Sequence, residues 1–248
     1  SFHGRSAGAL AATGQPAKRA AFEPLLPGVR FAKPNDVGSL HDAFGDDIGL
    51  ILLEPVLGEG GVHPLTPEFL AAARELPALL CLDEIQTGVG RTGTFFAFEQ
   101  LGVRPDLVTM AKALANGLPI GALLAAGESA FAPGDHGSTF GGNPVSCAAA
   151  CAVVDAIDDE LLANVTRQGA RLAAGLSAFP GVTSVRGAGL LLGADTERSA
   201  SDLVADCYKA GLVVLSAGEH VLRLAPPLVV SDAEVDEALS ILEEVIAA

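Results

Sequence analysis

Two residues of opposite charge stand where an α/β chain would place chemistry. Lys112 is the only charge in "VTMAKALANGLPIGA", residues 108–122, a stretch otherwise apolar, small or amide. A lysine expected to pack against a core must pair, lose its proton or react. Asp83 ends the apolar run "ALLCLD", residues 78–83, which puts its carboxylate at the carboxyl end of an expected buried strand. That is the edge at which open α/β sheets hold their ligands. An amine able to condense with an aldehyde, and a carboxylate able to keep a ring nitrogen protonated, together meet the needs of pyridoxal 5'-phosphate (PLP) chemistry. A plain buried ion pair accounts for the same two residues, and residue type alone does not separate the two readings.

The elements that would position them are legible in the hydrophobic pattern. "IGLILLEPV" (48–56) and "ALLCLD" are apolar runs separated by "TPEFLAAARELP" (66–77), a strand, helix, strand order that predicts a parallel sheet. Thr66, Pro67 and Glu68 form a helix start signal. "DLVTMA" (106–111) and "GALLAA" (121–126) predict short strands flanking the lysine loop. From Pro144 to about Ala178 apolar residues recur at helical spacing, interrupted by Gly169, which predicts a long connecting helix and a successor. Beyond it, "GVTSVRGAGLLLGAD" (181–195), "GLVVLSAGEHVLRLAPPL" (211–228) and an acidic helix from Ser231 predict a smaller α+β unit. The expected organisation is residues 1–144 as part of a large α/β domain and 145–248 as the connecting helix and small C-terminal domain.

Composition narrows the partners. Half of the 248 residues are hydrophobic, and 30 acidic against 15 basic residues give a formal charge of −15. That charge opposes nonspecific attraction to nucleic acid or to an anionic membrane. The longest largely apolar run, Val145 to Val154, is too short to span a bilayer, so a cytoplasmic protein acting on small molecules is expected. The four cysteines, Cys81, Cys147, Cys151 and Cys207, form no C-x-x-C pair and read as reduced core thiols. His3, His63 and His136 lack metal-ligand spacing and read as structural hydrogen-bonding groups. Gly88, Gly90 and Gly93 match G-x-G-x-x-G, the dinucleotide fingerprint. Residues Glu84 to Thr87 separate them from the strand, and Glu99 follows too early for a ribose contact, so a turn is the better reading. The only methionine is Met110 and the chain opens on "SFHGR", which suggests a piece of a longer polypeptide.

Five segments in order, "EPVLGEGGV", "LDEIQTGVGRTGTFFAFE", "TMAKALANGLPIGA", "HGSTFGGNPVSCAAA" and "LRLAPPLVVSD", resemble the class III (ω-type) aminotransferases, with the acetylornithine and ornithine enzymes the nearest group. The resemblance implies the fold of type I PLP-dependent transferases and a homodimer. It implies that Lys112 is the Schiff-base lysine and proton shuttle, and that Asp83 is the partner of the cofactor's ring nitrogen. Ile85 and Phe2 are then implied on opposite faces of the ring, Gln86 on its phenolic oxygen, and Thr139 on the phosphate of the neighbouring subunit. Arg5 and Arg223 match two arginines that bind substrate carboxylates, and Glu59 matches a gate on the second. Glu84 is given no catalytic role, because it should point to the other side of the strand. The family's glycine/serine/alanine-rich phosphate turn has no counterpart in these residues, which again suggests a fragment of a working enzyme. The implied reaction moves an ω-amino group from N-acetylornithine or ornithine to 2-oxoglutarate, in arginine biosynthesis. Competing expectations are a 4-aminobutyrate aminotransferase, an aminomutase, a noncatalytic fragment and a nicotinamide-dependent oxidoreductase.

Overall fold

A computed structural model describes residues 1–127 and 131–248. In chain order the helices and strands are α1 (Ala7–Ala11), α2 (Pro16–Arg19), α3 (Val37–Ala43), β1 (Leu50–Leu53), β2 (Val56–Leu57), β3 (His63–Pro64), α4 (Pro67–Glu75), β4 (Leu79–Asp83), β5 (Leu107–Met110) and β6 (Ala122–Ala125). The second half comprises α5 (Pro144–Ala156), α6 (Asp159–Ala178), β7 (Val182–Ala188), β8 (Leu191–Thr196), α7 (Ala200–Lys209), β9 (Leu215–Ser216), β10 (Val221–Leu224) and α8 (Asp232–Ala247).

The first sheet runs β1-β4-β5-β6, with β1, β4 and β5 parallel and β6 antiparallel to β5. Helix α4 makes the crossover from β1 to β4, as the apolar runs predict. Its start is fixed by Thr66, whose hydroxyl accepts from Phe69 N at 3.3 Å, and by Pro67 in the first turn. Phe69, Leu70 and Ala73 then face Ile51, Leu80 and Leu82 in one core cluster. Asp106, entering β5, accepts from Leu80 N at 2.8 Å and pairs with Arg74. This ties helix, strand and strand together at the end remote from Asp83.

The second sheet, β7-β8-β10-β9, is antiparallel throughout and is covered by α6, α7 and α8. Residues 144–178 form two helices, α5 and α6, broken at Ile157–Asp158, where the Asp158 carboxylate caps Leu161 N at 2.8 Å. Gly169 does not break α6. It is required there because a Cβ would lie 2.2 Å from the Gly189 carbonyl oxygen, a contact no real side chain makes. Helix α8 opens with a capping box between Ser231 and Glu234.

The glycine-rich segment is a turn, as expected: the 3₁₀ segment that follows begins only at Ala97. Arg91 of that turn reaches into the second half, donating to the Leu190 carbonyl at 3.1 Å, while Leu190 N donates back to the Arg91 carbonyl at 3.0 Å. Burial lowers the Arg91 pKa to about 10. The expectation for the cysteines needs correction. Cys81 and Cys207 are buried, and burial pushes the Cys81 thiol up to about 12, but Cys147 is only partly covered and Cys151 is exposed. Among the described residues, nothing buries Cys151 on its face of α5. Among the described residues no helix is long and apolar enough to cross a membrane.

Candidate active site

Asp83 is the last residue of β4, in register with Thr109 of β5, and is 5% exposed. Its carboxylate is held at both oxygens: Ile85 N donates to Oδ1 at 3.1 Å, and His3 Nδ1 lies 2.7 Å from Oδ2. The structural role expected of His3 is therefore to orient Asp83. Glu84 points the other way, accepting from Thr87 Oγ1 (2.5 Å), Ala97 N (3.1 Å) and Phe98 N (3.0 Å). Burial raises its pKa, against the lowering effect of those bonds. It caps the segment beyond the glycine turn and has no part in the site.

Lys112 follows β5 by two residues and opens a 3₁₀ turn, Lys112–Ala115. Its φ of +44° lies in the left-handed region that non-glycine residues avoid, a strain that a positioned functional group commonly carries. The expectation of burial is corrected, since solvent reaches the side chain. Enough protein surrounds the amine for desolvation still to lower its pKa. Glu59, Arg223, Glu54 and Asp83 also act on it, the three carboxylates raising and the arginine lowering. Four groups from distant parts of the chain thus lie within electrostatic reach of one amine.

The two-stranded hairpin β2-β3 carries Glu59 in its turn. Arg223, on β10 and 8% exposed, donates through Nη1 to Glu59 Oε1 at 2.8 Å and to the Gly58 carbonyl at 2.9 Å. Its Nε is buried without a partner among the described residues, so the guanidinium has donor capacity in reserve. Burial opposes ionisation of Glu59, but Arg223, with Lys18 as a lesser contributor, outweighs it and holds the carboxyl below its ordinary range. The turn itself is anchored to the second sheet. Val62, fully buried at φ +53°, packs on Gly193, and Arg186 Nε donates to the Gly61 carbonyl at 2.9 Å.

Gln86 lies over Gly58, where a Cβ would come within 2.6 Å of its Oε1, so the glycine makes room for the amide. Phe2 is half-buried near the cluster. Its backbone N–H donates to Glu54 Oε1 at 2.8 Å, and the Arg5 guanidinium carbon lies 5.9 Å from its ring centroid. Ile85 is partly exposed beside Asp83. Thr139 is not brought in: it lies exposed in the segment before α5, beside Phe140 at 84% exposure.

Two further groups belong to the cluster. Glu54, 5% exposed, accepts from Phe2 N and, at 3.2 Å, from Gly58 N, and burial raises its pKa. It ends an apolar strand run just as Asp83 does, so its signal was available in the sequence. Lys18, on α2, contacts Glu59 Oε2 at 3.4 Å and the Phe2 ring at 4.5 Å. Nothing local in the sequence marks it. No cluster of three or more metal-ligating side chains occurs among the described residues.

The sheet, with a carboxylate at one strand end and a strained lysine after the next strand, belongs to the fold of type I PLP-dependent transferases, as the superposition on solved aminotransferases shows. The family model for class-III aminotransferases matches residues 1–246, and the chain belongs to that family. It is 44% identical to the acetylornithine aminotransferase of Caldanaerobacter subterraneus subsp. tengcongensis, over 99% of this chain and 65% of that protein. It is 48% identical to that of Corynebacterium efficiens, over 99% of this chain and 64% of that protein. The chain thus spans about 65% of the length of such relatives. Among solved structures, the ornithine aminotransferase of Toxoplasma gondii, with PLP at partial occupancy in its active site, superposes with a TM-score of 0.91 at 32% identity, over 98% of this chain and 61% of that one. The N-acetylornithine aminotransferase of Stenotrophomonas maltophilia K279a gives a TM-score of 0.80 at 41% identity, over 88% and 62%.

Proposed function

We propose that this chain carries the catalytic lysine and substrate gate of a PLP-dependent aminotransferase. The donor would be N-acetylornithine or ornithine, which leaves as a semialdehyde, and the acceptor 2-oxoglutarate, which leaves as glutamate. The reading rests above all on Lys112, a strained amine of lowered pKa within reach of Asp83 and of the Glu59–Arg223 pair. The donor set fits PLP: a buried, doubly held carboxylate suits a protonated ring nitrogen, and an amine whose charged form is disfavoured suits an aldehyde carbon. PLP, when bound, supplies the electron sink that stabilises a carbon losing its proton.

The chain's own residues do the rest. Lys112 would hold the cofactor's aldehyde carbon, and its Nζ is the group that would move a proton at the substrate carbon. Asp83, oriented by His3, would keep the ring nitrogen protonated. Phe2 and Ile85 would enclose the ring and exclude water, and Gln86 would donate to its phenolic oxygen. Arg5 and Arg223 bind substrate carboxylates. The Glu59–Arg223 pair lets one site accept a dicarboxylate and also an amine donor with no carboxylate at that end, because a partly buried arginine is costly only when unpaired. In this reading Thr139 serves the phosphate of a second subunit, which makes the active unit a homodimer. Residues 1–144 belong to the cofactor-binding domain, 145–248 form the connecting helix and small domain, and the enzyme works in cytoplasmic arginine biosynthesis. Support comes from the acetylornithine aminotransferases at 44% and 48% identity.

The test is a half-reaction screen of the PLP-loaded full-length protein against N-acetylornithine, ornithine, 4-aminobutyrate and glutamate, following loss of the cofactor's near-visible band. N-acetylornithine or ornithine should outpace 4-aminobutyrate, and Lys112→Ala should form no borohydride-sensitive band. A faster reaction with 4-aminobutyrate would move the substrate assignment, and no band in the unmodified protein would end the proposal.

A further inference from the structure

Glu59 is shared between two cations, and the sharing is unequal. Oε1 makes a short bond of 2.8 Å to Arg223, whereas Oε2 stands 3.4 Å from Lys18 Nζ, near the limit of a hydrogen bond. The two contacts use different oxygens and come from elements far apart in the chain, β10 and α2. The Lys18 and Glu59 side chains are 28% and 27% exposed, against 10% for Arg223, so they lie on the open side of the pair. The Lys18 ammonium is also 4.5 Å from the Phe2 ring centroid, a cation–π contact that keeps the long side chain directed into the site.

We propose that Lys18 is a specificity-determining residue: it is the second holding point for Glu59, receiving the carboxylate when a dicarboxylate substrate takes Arg223. This rests on the gate described above and adds where the gate goes when it opens. A displaced Glu59 left unpaired would oppose dicarboxylate binding by the free energy of the broken pair. Lys18 recovers part of that. Its bond is not fully made in the resting arrangement, so it gains when Oε1 lets go of Arg223. Lys18 therefore favours the open state more than the closed one, and acts through Glu59 without touching the reacting atoms.

The experiment measures equilibrium binding to the holoenzyme of glutarate, a dicarboxylate that cannot react, and of butyrate, which has one carboxylate. An exposed ion pair sets the scale, so Lys18→Met should weaken glutarate about three- to fivefold and leave butyrate unchanged. Lys18→Arg should restore glutarate binding. In a Glu59→Gln background, where no carboxylate has to be parked, Lys18→Met should have no effect on glutarate. In the steady state KM for 2-oxoglutarate should rise with kcat unaltered. Equal weakening of both ligands would show a structural role and overturn the proposal. A glutarate effect that persists in the Glu59→Gln background would also overturn it, because Lys18 would then bind the ligand itself. Glutarate binding is read without turnover, so failure of the aminotransferase reaction and failure of the Lys18 proposal give different results.

Discussion

Replacing Glu59 by glutamine keeps the shape of the side chain and removes its charge, which isolates the electrostatic part of the gate. Arg223 is 10% and Glu59 27% exposed at the side chain, with 2.8 Å between Nη1 and Oε1. A hydrogen bond between charged groups contributes about 1.5–3 kcal/mol net, and the part-exposed carboxylate brings this pair to about 1–2 kcal/mol. A dicarboxylate breaks that bond to reach Arg223, and in Glu59→Gln it meets only a weaker bond to a neutral amide oxygen. Its affinity should therefore rise about 5- to 30-fold, at 1.4 kcal/mol per factor of ten. For N-acetylornithine the sign reverses. Glutamine cannot neutralise Arg223, the guanidinium faces a donor with nothing to pair it, and kcat/KM should fall. Stopped-flow half-reactions with glutamate and with N-acetylornithine, each titrated for its dissociation constant and limiting rate, measure both effects in one protein. If the two substrates changed in the same direction by similar factors, the Glu59–Arg223 pair would be a structural ion pair, and the reasoning would fail.

Gly169→Ala should destabilise the fold by about 2–3 kcal/mol, since overpacking against the Gly189 carbonyl outweighs alanine's helix-propensity gain of about 1 kcal/mol. Gly175→Ala, in the same helix, meets only the movable Leu239 side chain and should cost less, a difference that calorimetric melting temperatures would resolve. Asp106 has its pKa lowered, first by the Leu80 N–H and then by Arg74. A carboxyl lowered in the fold stabilises above its unfolded value of about 3.9 and loses that contribution as pH falls through the folded value. Asp106→Asn should accordingly melt lower at neutral pH, and the gap should close as pH falls through the lowered folded value. Covalent attachment of PLP to Lys112 should rise with pH through a midpoint below the ordinary lysine value of about 10.4, because desolvation lowers this amine's pKa. A midpoint at the ordinary value would show that its surroundings do not tune it.

Much of the site was legible because its members sit in local motifs with a recognisable order. Lys112, Asp83, Glu59 and Arg223 each stand in a short stretch whose pattern carries the resemblance, and the structure brings all four within electrostatic reach. What was not legible spans long separations. His3 meets Asp83 across 80 residues, Phe2 meets Glu54 across 52 and Lys18 meets Glu59 across 41, and hydrophobic periodicity says nothing about such pairings. The strands around Lys112 were readable as strands, but the antiparallel direction of β6 was not, since alternation is the same either way. Val62 at φ +53° contradicts local preference outright, because a β-branched residue is among the last expected there. Tertiary packing on Gly193 holds it. The exposure of Lys112 and Cys151 was misread for a related reason: an apolar stretch signals a face to be covered without saying that this chain covers it.

That packing of Val62 also bears on how Glu59 can move. The turn carrying Glu59 has its backbone fixed on both sides, by the Gly58 carbonyl on Arg223 and by Gly61 and Val62 on the second sheet. With that backbone held, side-chain torsions are enough to carry the Glu59 carboxylate between Arg223 and Lys18. In the proposed gate, switching between substrates would then be a rotamer exchange, faster than a domain movement of microseconds to milliseconds. If the chain works as the proposed aminotransferase, such an exchange would be fast beside turnover, and alternation between its two substrates would add no slow step.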